Sequence, residues 1–220
     1  MLYHKIHTLF KRTPKGEMIL DDWTDPVFEF LANNVWRMTE KIDGTNIRII
    51  IGPASDENPR VRSVRFGGRT ETAQLPAKLV QWLEEKFLNP EMYDTLAKKF
   101  PDGGILYGEG FGAGIQKGGG NYQGMQSFIL FDVRVGDWWL NWPDVIDVAN
   151  TLGLPHVPVV GFQTLYEGID LVRAGIESFF GPFQAEGVVA VPQVPLFNRK
   201  GERVVVKIKT RDWDRAVAKE

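Results

Sequence analysis

Apolar residues recur along this chain at two spacings, near every second position in some segments and every third or fourth in others. Residues 45–51 hold Ile47, Ile49, Ile50 and Ile51 and read as a strand ended by Gly52-Pro53. Residues 60–66 set Arg60, Arg62 and Arg65 among Val61, Val64 and Phe66, the pattern of a half-buried strand with a basic face. Residues 104–111, 127–135, 186–191 and 203–209 read as further strands. Helical spacing puts Leu79, Leu83 and Phe87 on one stripe, and Tyr93, Leu96, Ala97 and Phe100 on another, with Pro90 between them. A short helix is expected over 26–34, with Asp25 as N-cap, Pro26 at the first helical position, and Val27, Phe30 and Leu31 sharing a face. Two more helices are expected over 143–152 and 166–179. Strands dominate both ends and helices cluster between them. The fold class is therefore α+β, antiparallel sheets flanked by helices rather than a βαβ repeat.

Composition narrows the chemistry. The 220 residues contain no Cys and 3 His, which excludes thiol nucleophiles, disulfides and thiolate metal centres and leaves too few histidines for a multi-histidine site. No apolar run approaches the ~18 residues of a spanning helix, and residues 1–5 do not open a signal peptide. A globular protein without membrane contact, in the cytoplasm, is the expectation. Any catalysis must come from Lys, Asp, Glu, hydroxyls or a carboxylate-held metal. The formal net charge of −2 argues against a generic nucleic-acid binder. Residues 199–220 nevertheless carry 8 basic against 4 acidic side chains, so a basic cleft with an acidic back is expected.

The stretch Thr39-Glu40-Lys41-Ile42-Asp43-Gly44-Thr45-Asn46 stands directly before a strand. A lysine is a nucleophile only when neutral, and its free pKa is ~10.4. Cations and desolvation make the neutral form accessible. Lys207 and Lys209, two residues apart on one strand face, are candidates for the cationic help. Gly44 permits a sharp turn after Lys41, and Asp43 adds a carboxylate within reach of a metal. Taken by itself, the tetrapeptide Lys41-Ile42-Asp43-Gly44 reads equally well as an exposed turn with Lys41 and Asp43 solvated.

Lys41 is followed in order by Gly67-Gly68-Arg69-Thr70, Leu106 to Gly112, Phe128 to Val133, Ala185-Glu186-Gly187-Val188-Val189 and Val206-Lys207-Ile208-Lys209. This ordered set, running from Glu40 to Lys209, resembles the covalent lysyl-nucleotidyltransferases: polynucleotide ligases and mRNA capping enzymes. The form K-I-D-G-T-N with a later arginine–threonine pair looks most like the ATP-dependent RNA ligases of the phage-type RNA ligase 2 family. The resemblance implies an ATP-grasp-like ligase adenylation core over 39–209, within a single domain over 1–220, with 1–38 as an extension and 210–220 as a short tail. It implies that Lys41 takes AMP from ATP, with Asp43 and Gly44 in the same motif. Glu40 would sit by the adenine edge, and Asn46 near the reacting phosphate and RNA end. Arg69 would contact the ribose or the RNA 5′-phosphate, and Glu109 the ribose hydroxyls. Phe131 would stack on adenine beside Asp132. Glu186 would hold Mg²⁺ or Mn²⁺, and Lys207 and Lys209 would neutralise the α-phosphate. The partners implied are RNA ends, a 5′-phosphate and a 3′-hydroxyl, in a phage or bacterial repair setting.

Other features have plainer readings. The run Gly108-x-Gly110-x-Gly112 lacks the strand–helix context of a dinucleotide fingerprint. Residues 112–120 read as a mobile hairpin or surface loop in preference to a phosphate cradle, Phe131 by default as core, and Tyr122, Trp138, Trp139 and Trp213 as packing in preference to base-stacking rings. Arg60, Arg62 and Arg65 read equally as a solvated face or a phosphate track, residues 5–12 as a modest basic segment, and His156 has no evident partner. Eleven residues follow Lys209 and 40 precede Lys41, whereas a five-stranded barrel needs roughly 70–100. No OB domain is expected, and an accessory protein could supply grip on RNA. The alternatives are a DNA ligase, a GTP-using capping-type guanylyltransferase, and, from another class, a non-catalytic RNA-binding module.

Overall fold

Ile47, Ile49 and Ile51 form one buried row on a strand, and three helices cover it. The computed structural model describes residues 1–54 and 62–219. In chain order the elements begin β1 (His7–Thr8), β2 (Phe10–Arg12), β3 (Met18–Trp23), α1 (Pro26–Phe30), β4 (Trp36–Glu40), β5 (Thr45–Ala54) and β6 (Arg62–Gly67). They continue with α2 (Ala77–Phe87), α3 (Pro90–Lys99), β7 (Gly104–Phe111), α4 (Gly119–Tyr122), β8 (Ser127–Val135), β9 (Trp138–Trp139) and α5 (Trp142–Leu152). The chain ends with β10 (Val159–Gln163), α6 (Leu165–Ala174), β11 (Gly187–Pro192), β12 (Val206–Lys209) and a 3-10 turn over Thr210–Arg215. Two compact units result: Met1–Tyr3 with Asp43–Val157, and His4–Ile42 with Pro158–Glu220. The expected core over 39–209 thus draws on both.

The first unit is an antiparallel sheet ordered β6-β5-β7-β8-β9. The isoleucine row of β5, with Leu106, Phe128, Leu130 and Val133, packs on Leu79, Leu83 and Phe87 of α2, on Leu96 of α3 and on Val145, Val148 and Leu152 of α5. The α2 stripe is the one that the spacing predicts. Helix α3 starts where Asn89 accepts from the Met92 amide, and α5 where Asn141 accepts from the Asp144 amide, one residue before the expected start at Pro143. Strand β5 does not stop at Gly52-Pro53. It continues to Ala54 through a register shift between Ile51 and Ala54, and a shifted register accommodates a proline that lacks a ladder donor. Arg60 and Val61 lie outside the described residues, as does the side chain of Arg62; Arg65 is exposed.

The second unit is a sheet ordered β1-β12-β11-β4-β10, antiparallel except for the β1–β12 pair. Trp36, Met38, Val188, Ala190, Val206 and Ile208 face Leu165 and Val172 of α6. Helix α6 opens on a capping box between Thr164 and Glu167 and ends at Gly175, with φ +92, short of the expected Phe179. In α1, Asp25 caps as expected, but the helix is only five residues long. Phe28 is the buried ring, and Phe30 is 84% exposed, so the expected Val27/Phe30/Leu31 face is corrected to one built on Phe28 and Leu31. The α+β class with antiparallel sheets and flanking helices stands. Among the described residues, no helix is long and apolar enough to cross a membrane.

Candidate active site

Strand β4 delivers Lys41 by backbone pairing that outlasts the strand. The Glu40 amide donates to Pro158 O at 2.9 Å, and the Lys41 amide to Gly187 O at 2.9 Å. Across β11 and β12, Gly187 pairs with Lys209 and Val189 with Lys207. Alternation puts Val188 and Ile208 in the core and turns Lys207 and Lys209 to the other face, as expected. Gly187 has φ +142, and a Cβ there would lie 2.0 Å from Ile208 O, so only glycine admits this approach. It places Glu186 at the strand mouth, with its carbonyl accepting from the Thr210 amide at 3.0 Å.

The side chains then converge. Lys41 Nζ donates to Glu186 Oε2 at 2.6 Å, and Lys209 Nζ to Glu186 Oε1 at 2.6 Å. The three side chains keep only 21%, 13% and 12% of their surface for Lys41, Glu186 and Lys209. Burial alone would raise the Glu186 carboxyl. The charge of Lys41 and the hydrogen bonds from both lysines outweigh that, and the carboxyl sits below its ordinary value. Lys207 shares the face, half-buried, one row away. Glu40 takes another course. The residue is 1% exposed, and its carboxylate accepts from Ser178 Oγ at 2.6 Å and the Phe179 amide at 3.0 Å, so it secures the segment after α6.

In the first unit, the sheet face opposite the helices carries the other candidates. Asn46 pairs with Glu109 and Arg48 with Tyr107, so these four side chains share that face. Strand β8 has a register shift between the Tyr107–Asp132 and Gly108–Leu130 pairs, leaving Phe131 as an extra residue. Such a bulge resets the alternation, so Phe131 and Asp132 both turn away from the helices. Phe131 is half-buried, with Tyr3 edge-on at 5.1 Å, and Asp132 accepts from Tyr3 Oη at 2.9 Å. Asn46 Oδ1 is buried without a hydrogen-bond partner among the described residues, which leaves an acceptor open to a donor from a ligand.

The turn after Lys41 is held by the glycine-rich segment. The Asp43 amide donates to Tyr122 Oη at 3.1 Å, and Gln116 Nε2 to Gly44 O at 3.0 Å. Residues 112–122 therefore form a packed brace ending in α4, with Ile115 buried. Arg69 is exposed in the loop after β6. Arg48 escaped the sequence reading, although a lone charge within an isoleucine-rich strand was its signal. Ser178 and Tyr3 offered none.

Tyr122, Trp139 and Trp213 pack on Phe111, Tyr107 and Phe10, and the His156 ring stands edge-on to Trp142 at 5.6 Å. In the segment 5–12, Lys11 pairs with Asp22 and Arg12 with Asp212. No group of three or more His, Asp or Glu poised for a metal occurs among the described residues, and a single carboxylate, Glu186, stands among the cations.

A family model described as RNA ligase matches residues 34–219. No curated protein sequence matches the chain. Solved structures of the RNA ligase of Naegleria gruberi share its fold. An apo variant has a TM-score of 0.63 at 18% identity, over 97% of this chain and 60% of that one. A variant with AMP and Mn has a TM-score of 0.61 at 16% identity, over 94% and 60%. A variant with ATP and Mn has a TM-score of 0.63 at 16% identity, over 94% and 58%. The chain spans about 60% of the length of these proteins.

Proposed function

Because the chain belongs to the RNA ligase family, we propose that it is an ATP-dependent RNA ligase that works through an AMP carried on Lys41. The observation that carries this reading is the Lys41–Glu186–Lys209 cluster, with both ammonium groups 2.6 Å from one carboxylate. A phosphoryl-transfer centre needs a positioned nucleophile and fixed positive charge around the phosphate, and this cluster supplies both.

In the first step the Lys41 ammonium leaves Glu186 and gives its proton to solvent. The Nζ lone pair attacks the α-phosphorus of ATP, an N–P bond forms, and the P–O bond to pyrophosphate breaks. In the second step an oxygen of the RNA 5′-phosphate attacks that phosphorus. The N–P bond breaks, Lys41 recovers a proton, and AMP sits on the RNA end. In the third step a 3′-hydroxyl attacks the RNA 5′-phosphorus, loses its proton and expels AMP.

Glu186 aims Lys41 at rest, and Lys209 and Lys207 bring positive charge to the α-phosphate. Asn46 attends the reacting phosphate, Glu109 takes the ribose hydroxyls, and Phe131 offers its ring to the adenine with Asp132 beside it. Arg69 engages the RNA 5′-phosphate, a role suited to a guanidinium. Glu40, with both oxygens engaged, buttresses the segment that contains Ser178. Mg²⁺ or Mn²⁺ fits here, since such ions bind through one or two carboxylates and keep water and phosphate oxygens as their other ligands. Glu186 is the residue that would hold it, and the bound ion supplies further charge to the phosphate oxygens. The Mn in the Naegleria gruberi structures with ATP or AMP supports this reading.

Incubation with α-labelled ATP and Mg²⁺ tests it. The protein should retain label, Lys41→Ala should not, and peptide mapping should put the adduct on Lys41. No label, or equal labelling of Lys41→Ala, overturns the reading. Labelling by GTP instead would favour a capping-type enzyme, and sealing of nicked DNA over nicked RNA would favour a DNA ligase.

A further inference from the structure

Arg48 is 1% exposed, and a guanidinium so buried must find partners for its N–H groups. Its Nε donates to Gly68 O at 2.7 Å, Nη2 to Thr70 O at 3.4 Å, and Nη1 to Glu71 Oε1 at 3.0 Å and Met1 O at 3.3 Å. Gly68, Thr70 and Glu71 bracket Arg69. The loop backbone closes directly on the fork: a Cβ at Gly67 would lie 2.9 Å from Nη2. Arg48 stands two residues beyond Asn46 on β5 and shares its face.

We propose that Arg48 is a positioning residue that acts through Arg69. It holds the backbone on both sides of Arg69 against the strand that carries Asn46, so that the exposed guanidinium of Arg69 is presented to the RNA 5′-phosphate in one place. The proposal rests on the ligase reading above, and on Arg69 serving the second step. Lysine cannot replace Arg48 in this role, because a single ammonium lacks the planar fork that reaches Gly68 O and Glu71 together.

The test compares the wild type with Arg48→Lys, Arg69→Ala and the double variant. Three quantities are read: lysyl-AMP formation from ATP, single-turnover AMP transfer from the pre-adenylated protein to 5′-phosphorylated RNA, and amide hydrogen exchange at residues 68–71. Arg48→Lys should leave adenylation within about twofold and slow transfer at least about tenfold, as misplacement of a binding group does. The double variant should transfer no more slowly than Arg69→Ala alone. Amides 68–71 should exchange faster while Ile47, Ile49 and Ile51 stay protected. Equal slowing of both steps, multiplied losses in the double variant, or unchanged exchange at 68–71 overturns the proposal. If Arg48→Lys does not fold, Glu71→Ala removes one bond from an exposed carboxylate and is read the same way. It should slow transfer about threefold, within the usual worth of one such bond, and an unchanged rate overturns the proposal. If the wild type forms no lysyl-AMP, the ligase reading fails separately, and the exchange measurement still decides whether Arg48 holds the loop.

Discussion

Gly44 and Glu109 stand so close that a Cβ on Gly44 would lie 2.8 Å from Glu109 Cγ, and 2.2 Å from the neighbouring Gly110 O. Real Cβ atoms do not approach backbone oxygens that closely, so the glycine is required by space. Gly44→Ala must push the Asp43-Gly44 turn off β7 or displace the Glu109 side chain. Overpacking of this kind costs about 1–3 kcal/mol. The denaturation midpoint should fall accordingly, and an unchanged midpoint would show that the turn has room that the geometry denies it.

Glu186→Gln removes the carboxylate that satisfies Lys41 and Lys209 and leaves two ammonium groups side by side. Hydrogen bonds to charged groups contribute about 1.5–3 kcal/mol each in sheltered settings, and partial exposure reduces that. The loss should be on the order of 1–3 kcal/mol at neutral pH. Its pH dependence follows from the lowered Glu186 carboxyl. A depressed carboxylate stabilises the fold above its unfolded value and loses that contribution as pH falls through the folded one. The gap between wild type and Glu186→Gln should therefore be constant at neutral pH and shrink below the ordinary value of 4.5. Urea titrations across that range check it; a gap that grows on acidification contradicts the ion-pair account.

Strands β7 and β8 were legible to the residue at 104–111 and 127–135, because apolar positions bounded by glycine and polar turns leave little else for those segments to be. The α2 stripe was legible for the same reason. Strand β4 was not. Its Trp36, Met38 and Glu40 are buried, but its polar residues do not mark a sheet until β10 and β11 lie on either side. Lys41, Glu186 and Lys209 could be singled out because their ordered motifs resemble those of lysyl-nucleotidyltransferases, but the ion pairs that join them were not foreseen. Ser178 and Tyr3 could not, since neither lies in a motif and their partners are 138 and 129 residues away; Arg48 showed only as a lone charge in an isoleucine-rich strand, with nothing to name Gly68 as its partner. The Phe131 bulge was equally hidden, because strict alternation would have sent Asp132 to the helix side.

Ser178 tests what Glu40 does. Its hydroxyl donates to Glu40 Oε1 at 2.6 Å, and Glu40 is 1% exposed, so bulk solvent has little access to replace that bond. Ser178→Ala strands one oxygen of a buried charge, which costs about 1–3 kcal/mol. Ser178→Thr keeps the hydroxyl and should lose less. Equal stability of Ser178→Ala and the wild type would mean that the Phe179 amide alone suffices for Glu40.

Phe131 separates binding from folding. As the extra residue of the β8 bulge it is half-buried, unlike Leu130 on the helix side, which is fully buried. Removing the Phe131 ring opens no cavity beneath α2 or α5, so Phe131→Ala should lower stability less than Leu130→Ala, which belongs to the 2–5 kcal/mol class of core truncations. Under the ligase reading the ring stacks on adenine, a contact worth about 1–3 kcal/mol. At 1.4 kcal/mol per decade, that raises the KM for ATP in adenylation by roughly 5- to 150-fold. Phe131→Trp, which keeps an aromatic face, should recover most of it. A variant with wild-type KM but reduced stability would assign the ring to packing against Tyr3 instead, and the measurement that decides is the ATP dependence of lysyl-AMP formation on protein shown to be folded.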